Sequence, residues 1–78
     1  IMKKWLRCEI TKGMFSDEVT VNVPHAVGGP VAVFVPRDCE VKQIVSVRAY
    51  EDAGKIIAIL PDNYGTAVSV PATDLLTA

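Results

Sequence analysis

The stretch that decides the fold is Tyr64-Gly65-Thr66-Ala67-Val68-Ser69-Val70-Pro71-Ala72-Thr73-Asp74-Leu75-Leu76. Residues 66–70 alternate as a short strand does, Pro71 interrupts them, a tight turn follows, and two leucines resume the extended pattern. Proline suits the break because its ring fixes φ and it has no N–H to give to a ladder. Several valine-rich segments precede this ending, and such a chain is expected to form a small closed β-barrel.

Upstream, the segments keep the same period. Trp5-Leu6-Arg7-Cys8-Glu9-Ile10 puts Leu6, Cys8 and Ile10 on one face and Trp5, Arg7 and Glu9 on the other, although a helical turn through Met2, Trp5, Leu6 and Glu9 competes with the strand. A loop over 12–17 leads into Glu18-Val19-Thr20-Val21-Asn22-Val23, the cleanest alternation in the chain, with valines inward. Pro24 to Pro30, with Gly28-Gly29 inside it, is a breaker cluster. Val31 to Val35 is a continuous apolar run stopped by Pro36, and Arg37 to Glu40 reads as a short turn. From Val41 to Tyr50, Val41, Val45, Val47 and Ala49 are expected inside, with Lys42, Ser46 and Arg48 outward. Asp52-Ala53-Gly54 is expected to be a three-residue hairpin loop with Gly54 in the left-handed region. Ile56 to Leu60 returns, ending at Pro61. Short strands at roughly ten-residue spacing with turn signals between them predict an all-β barrel or sandwich of five to six antiparallel strands.

The bulk numbers agree with one small globular domain spanning 1–78. Half of the 78 residues are hydrophobic and 22% are charged, and Val, Ile and Ala dominate over aromatics, which favours strands. A chain of this length buries roughly 60% of its unfolded surface, so its core is thin. The net charge of −1 lacks the positive excess with which nucleic-acid binders neutralise phosphates. No run approaches the ~20 apolar residues of a membrane span. Met2-Lys3-Lys4 resembles the start of a signal peptide, but Arg7 and Glu9 interrupt its would-be apolar region, so a cytoplasmic location is expected. Cys8 and Cys39 are not a CxxC pair and are read as two thiols.

Val68-Ser69-Val70-Pro71-Ala72-Thr73-Asp74-Leu75-Leu76 is similar to the last third of Src-homology-3-like barrels. In that architecture a strand meets a proline, turns once in a 3-10 helix, and a short final strand closes the sheet. The resemblance implies a small barrel with one 3-10 turn near Pro71 to Asp74, and it implies no activity. Peptide-binding members of that superfold grip polyproline with an acidic, tyrosine-rich first loop and a paired tryptophan. Here the loop is Lys12 to Asp17 and the single tryptophan is Trp5, so polyproline binding is not expected.

Few residues carry recognisable chemistry. Cys8, His25 and Cys39 are the only soft metal ligands, and their spacing does not match a structural zinc site, so no metal or cofactor is expected. A cysteine enzyme would use Cys39 as nucleophile with His25 as base, but only Arg37 stands by to stabilise a thiolate. Gly28-Gly29 fits neither phosphate-binding glycine pattern. The acidic doublets Asp17-Glu18 and Glu51-Asp52 read as solvated strand ends.

The aromatic and apolar residues on outward positions are more informative. Phe34 lies opposite Val31, Val33 and Val35, and Ile56 to Leu60 is apolar on both faces, whereas a lone single-layer barrel should show polar residues outside. An exposed apolar patch rimmed by charge marks an interface. Trp5, Ala32, Phe34, Tyr50, Ile56 and Ala58 are therefore the candidate interface residues, with Lys12 to Asp17 and Pro24 to Pro30 bordering any groove. The expected role is a non-catalytic interaction module or accessory subunit, binding a protein partner or a second copy of itself. The first alternative is a nucleic-acid-binding barrel using Lys3, Lys4, Arg7, Lys12, Lys42 and Arg48 on phosphates, with Trp5, Phe15 or Tyr50 stacking on bases. The second is the small cysteine enzyme.

Overall fold

The computed structural model describes residues 2–41 and 43–77. The strands in chain order are β1 (Met2–Arg7), β2 (Glu9–Lys12), β3 (Glu18–Val23), β4 (Val31–Pro36), β5 (Glu40–Val41), β6 (Ile44–Asp52), β7 (Lys55–Ile59), β8 (Ala67–Ser69) and β9 (Leu75–Thr77). Two 3-10 turns, Arg37–Cys39 and Ala72–Asp74, stand before β5 and β9. The class is all-β, as the alternation predicts. Among the described residues no helix is long and apolar enough to cross a membrane.

The strands form two antiparallel sheets. The larger has the order β8-β7-β6-β1-β9, with β5 on β6; the smaller is β2-β3-β4. Their shared element is the first strand, which leaves one sheet and enters the other at Cys8. Arg7 still pairs with Ile44 in the large sheet, and Glu9 already pairs with Asn22 in the small one. Gln43 holds the bend from both sides. Its carbonyl accepts from Cys8 N at 3.0 Å, and its Oε1 accepts from Ile10 N at 3.1 Å.

The core lies between the sheets. Leu6, Val21, Val23, Val35, Val45, Ala58 and Leu60 are all but sealed from solvent, with Val19, Val47, Val68 and Val70 completing the cluster. Each fully buried valine or leucine contributes about 1.5–3 kcal/mol of transfer free energy. Leu6, Val19, Val21, Val23, Val45 and Val47, with the buried Ala49, match positions assigned inward by alternation, whereas Ala58 was assigned to the interface. The expected placements of the Val41 and Lys42 side chains fall outside the described residues.

The barrel does not close. β4 ends one sheet and β8 the other, and no ladder joins them. The outer side of β8 is occupied by the β3–β4 loop, whose Val27 N donates to Ser69 O at 2.8 Å, and prolines 30 and 36 bound β4. The expected five to six strands become nine among the described residues because the first divides at Cys8 and short β5 and β9 add to the large sheet. The 3-10 turn after Pro71 is present, and a second one accompanies it. The β6–β7 loop has two residues where three were expected. Asp52 pairs with Lys55, and Ala53 and Gly54 have φ of 53° and 78°, the mirror-image turn that follows strand twist.

Candidate functional site

Register sorts the outward side chains into separate surfaces. Ala58 is in the core and 0% exposed, which removes it from the expected interface. On β7 the period of two sends Ala58 inward opposite Ala49, with Ile56 half-buried against the core, and leaves Ile57 and Ile59 facing out. Trp5, opposite Ser46 and Leu76, shares the outer face of the large sheet with Tyr50, opposite Ile57. Ala32 and Phe34 lie on the small sheet instead. The six expected interface residues therefore form no single patch.

Three of the cations proposed for nucleic acid do share a face. Lys3 stands directly opposite Arg48, and Arg7 opposite Ile44, on the face that carries Trp5 and Tyr50. Lys4 takes the other side of β1 opposite Val47, Lys12 is on β2 opposite Val19, and Lys42 lies outside the described residues.

The groups invoked for a cysteine enzyme are engaged elsewhere. The Cys39 thiol donates to Asp38 Oδ1 at 3.8 Å. Its pKa is raised from 9.0, first by burial, then by the Asp38 charge and by that hydrogen bond, all of which favour the unreactive thiol. His25 Nδ1 sits 3.2 Å from Asp74 Oδ2, linking the β3–β4 loop to the final 3-10 turn. No described hydrogen bond joins His25 to Cys39. Cys39 is a free thiol, so no disulfide links it to Cys8.

The most built surface is the seam left by the open barrel. A groove of about 410 Å³ runs between β4 and the β7–β8 loop, lined by Met14, Phe15, Ala32, Phe34 and Tyr64, with Glu18, Asp62 and Thr66 among its polar groups. Four large side chains in it face solvent: Met14 is 73% exposed, Phe15 66%, Phe34 49% and Tyr64 92%. Both loops that present them are tied down. Glu18 N donates to Phe15 O at 3.3 Å, and Met14 N donates to Glu18 Oε2 at 3.2 Å. A Cβ on Gly13 would fall on the carbonyl of Glu18, so glycine permits this close return of the chain. On the other wall, Asp62 accepts from Thr66 N at 2.8 Å and from the Thr66 hydroxyl.

The groove wall includes a bare strand edge. Arg37 N donates to Asp17 O at 2.9 Å, which continues the β3–β4 ladder one step past the Glu18–Pro36 pair. Hydrogen-bonded and non-hydrogen-bonded pairs alternate in an antiparallel ladder. Val31, Val33 and Val35 thus bond to β3, while Ala32 and Phe34 turn their N–H and C=O groups outward. No described residue pairs with that edge.

Of the loops expected to border a groove, Lys12 to Asp17 does so through Met14 and Phe15, whereas Pro24 to Pro30 covers β8 instead. Tyr64 was missed; its signal was an aromatic residue inside an otherwise polar turn. No protein-family model, no curated protein and no solved structure matches this chain.

Proposed function

We propose that this protein is a non-catalytic interaction module that takes an extended segment of a partner protein onto the free edge of β4. One observation carries the reading: four exposed, large apolar side chains gather beside β4, an edge strand whose two outward backbone positions, Ala32 and Phe34, have no ladder partner among the described residues. Edge addition uses main-chain hydrogen bonds for affinity and alternate side chains for specificity. A bare edge is otherwise a hazard that proteins cover, charge or break with proline. The scaffold is proposed to be an opened relative of the Src-homology-3-like superfold; the 3-10 turn between β8 and β9 supports this. A cytoplasmic setting remains part of the proposal, supported by the free Cys39 thiol.

The test is a random peptide display selection with the intact protein as bait, followed by amide shift mapping of the selected peptides. Selected peptides should shift the amides of residues 31–35. Phe34→Ser and Phe15→Ser should each weaken them about tenfold or more while melting with the parent, because both side chains are already exposed. Peptides that map to the outer face of the large sheet, or Phe34→Ser binding at full strength, would refute the assignment.

A second reading has one observation in its favour. Lys3 and Arg48 face each other across β1 and β6, a like-charge pair that costs stability when nothing neutralises it. With Arg7, Trp5 and Tyr50 on the same face, single-stranded nucleic acid is the chemistry that would use them. Loss of all oligonucleotide binding at low salt would end it.

A further inference from the structure

We infer that the segment taken up along β4 is a short antiparallel strand that carries lysine or arginine at its ends. This rests on the edge-addition reading above and adds the length, direction and charge of the occupant.

Length follows from the prolines. Between Pro30 and Pro36 the edge offers two N–H donors, Ala32 and Phe34, because Pro36 has none. In an antiparallel addition, the residues set opposite Ala32 and Phe34 each exchange two hydrogen bonds with the edge, giving four bonds over three consecutive positions. A parallel strand meets the same edge with slanted, slightly weaker pairing. A segment of about five residues spans the distance from one proline to the other. Its residue opposite Val33 faces the seam between the sheets, where Val33 is half-buried, and is required to be apolar. Its residues opposite Ala32 and Phe34 lie on the Phe34 face and tolerate hydroxyl or apolar groups.

Charge follows from what lines the groove. Among the described residues that line it, Glu18 and Asp62 are the charged ones, and no lysine or arginine accompanies them. Asp17 continues the acidic wall beside Glu18, Phe34 and Pro36. No lysine or arginine among the described residues lies within ion-pair distance of these three carboxylates; Arg37, which lies beside Asp17, gives its Nε–H to the Ser16 carbonyl instead. Asp62 is held in place by its bonds to Thr66, and Glu18 by Met14 N, so they meet an incoming cation without first being ordered. The carboxylates do not define the site by themselves; they select among strands that the edge and the aromatic side chains would accept.

The experiment titrates the labelled intact protein with two end-capped synthetic peptides, Lys-Thr-Val-Thr-Lys and Glu-Thr-Val-Thr-Glu, up to millimolar concentration, following the amides of Ala32 and Phe34. The lysine peptide should shift both amides and bind about fivefold more tightly than the glutamate peptide at low salt, with the preference shrinking at high salt. Combining Asp17→Asn with Glu18→Gln should bring the two affinities closer together, while a lysine peptide N-methylated at its second and fourth residues, those set opposite Ala32 and Phe34, should not bind. Equal affinity of the two charged peptides would overturn the charge inference and leave the edge reading standing. No shift of Ala32 and Phe34 with either would overturn both. Protection of those amides that grows with protein concentration before peptide is added would give the edge to a second copy of the chain, and would overturn the inference as well.

Discussion

Replacing Ala53 by asparagine is expected to raise stability, and the size of the gain follows from the β6–β7 turn. Ala53 has φ of 53°, in the left-handed region where an L-residue with a Cβ pays roughly 1–2 kcal/mol. Its neighbour Gly54 occupies the same region without that cost. Asparagine is enriched at this position of the mirror-image turn because its side chain tolerates the conformation. Relief of about half the penalty gives about 0.5–1 kcal/mol, or about 2–8 °C in melting temperature for a domain of this size. Ala53→Gly removes the whole penalty but adds unfolded-state entropy of about 0.5–1 kcal/mol, so its net gain is of similar size. Ala53→Val, β-branched at positive φ, is expected to lose at least about 1 kcal/mol. The turn is exposed, so no core packing confuses the comparison. Thermal and urea unfolding of the four proteins should rank Asn and Gly above Ala, and Ala above Val, with unchanged denaturant slopes. An asparagine variant that melts at or below the parent, or a valine variant that is tolerated, would refute the backbone reasoning.

Gly13→Ala forces a Cβ into the Glu18 carbonyl; a loss of about 1–3 kcal/mol should come with weaker binding of peptides that contact Phe15, and a parent-like melt would show that the loop is not so tightly closed. Asp38→Asn removes a charge and alters the hydrogen bond that raise the Cys39 pKa, so alkylation of Cys39 at mildly alkaline pH should speed up, and an unchanged rate would contradict the assignment. In the parent, the folded state holds the Cys39 proton more tightly than the unfolded chain does. Its contribution to stability is therefore full below 9.0 and is lost as pH rises past that value, a decline that should be smaller in Asp38→Asn. Gln43→Ala deletes the acceptor of Ile10 N but keeps the carbonyl that accepts from Cys8 N. A cost of about 1 kcal/mol is expected, with faster hydrogen exchange at Ile10 and little change at Cys8; equal acceleration at both would mean that the whole bend had opened.

The strands were legible because valine alternation is a local signal with a fixed period. Val19, Val21 and Val23 point inward because a half-buried strand has no other arrangement, and the break at Pro71 is written into a residue that cannot extend a ladder. The open seam was not legible. Whether β4 meets β8 depends on where the Pro24 to Pro30 loop runs, and Val27 reaching Ser69 is a contact between distant parts of the chain. Ala58 was misplaced for a related reason. A strand of Ile56, Ile57, Ala58, Ile59 and Leu60 is apolar on both faces, so pattern cannot fix its parity, and only pairing with Ala49 and Tyr50 does. Met14 and Phe15 were visible as apolar residues in a loop, but their meeting with Phe34 and Tyr64 needs three dimensions.

The free edge of β4 also bears on how the chain reaches its native state. β4 belongs to a local hairpin with β3, and β7 joins β6 through a two-residue turn, whereas β1 must find β6 in mid-chain and β9 near the far end. Local pairings close loops at lower entropic cost and form sooner. The β3–β4 hairpin is therefore expected to exist with its edge bare while the large sheet is still assembling, when neighbouring chains compete for it. Pro30 and Pro36 then act as gatekeepers that keep nascent chains from stacking edge to edge. Pro36→Thr should lower the refolding yield as protein concentration rises, with its dilute-solution melting temperature unchanged; a yield independent of concentration would remove this role. The opening proposed to admit a partner in the finished protein is thus the same opening that must be policed while the chain folds.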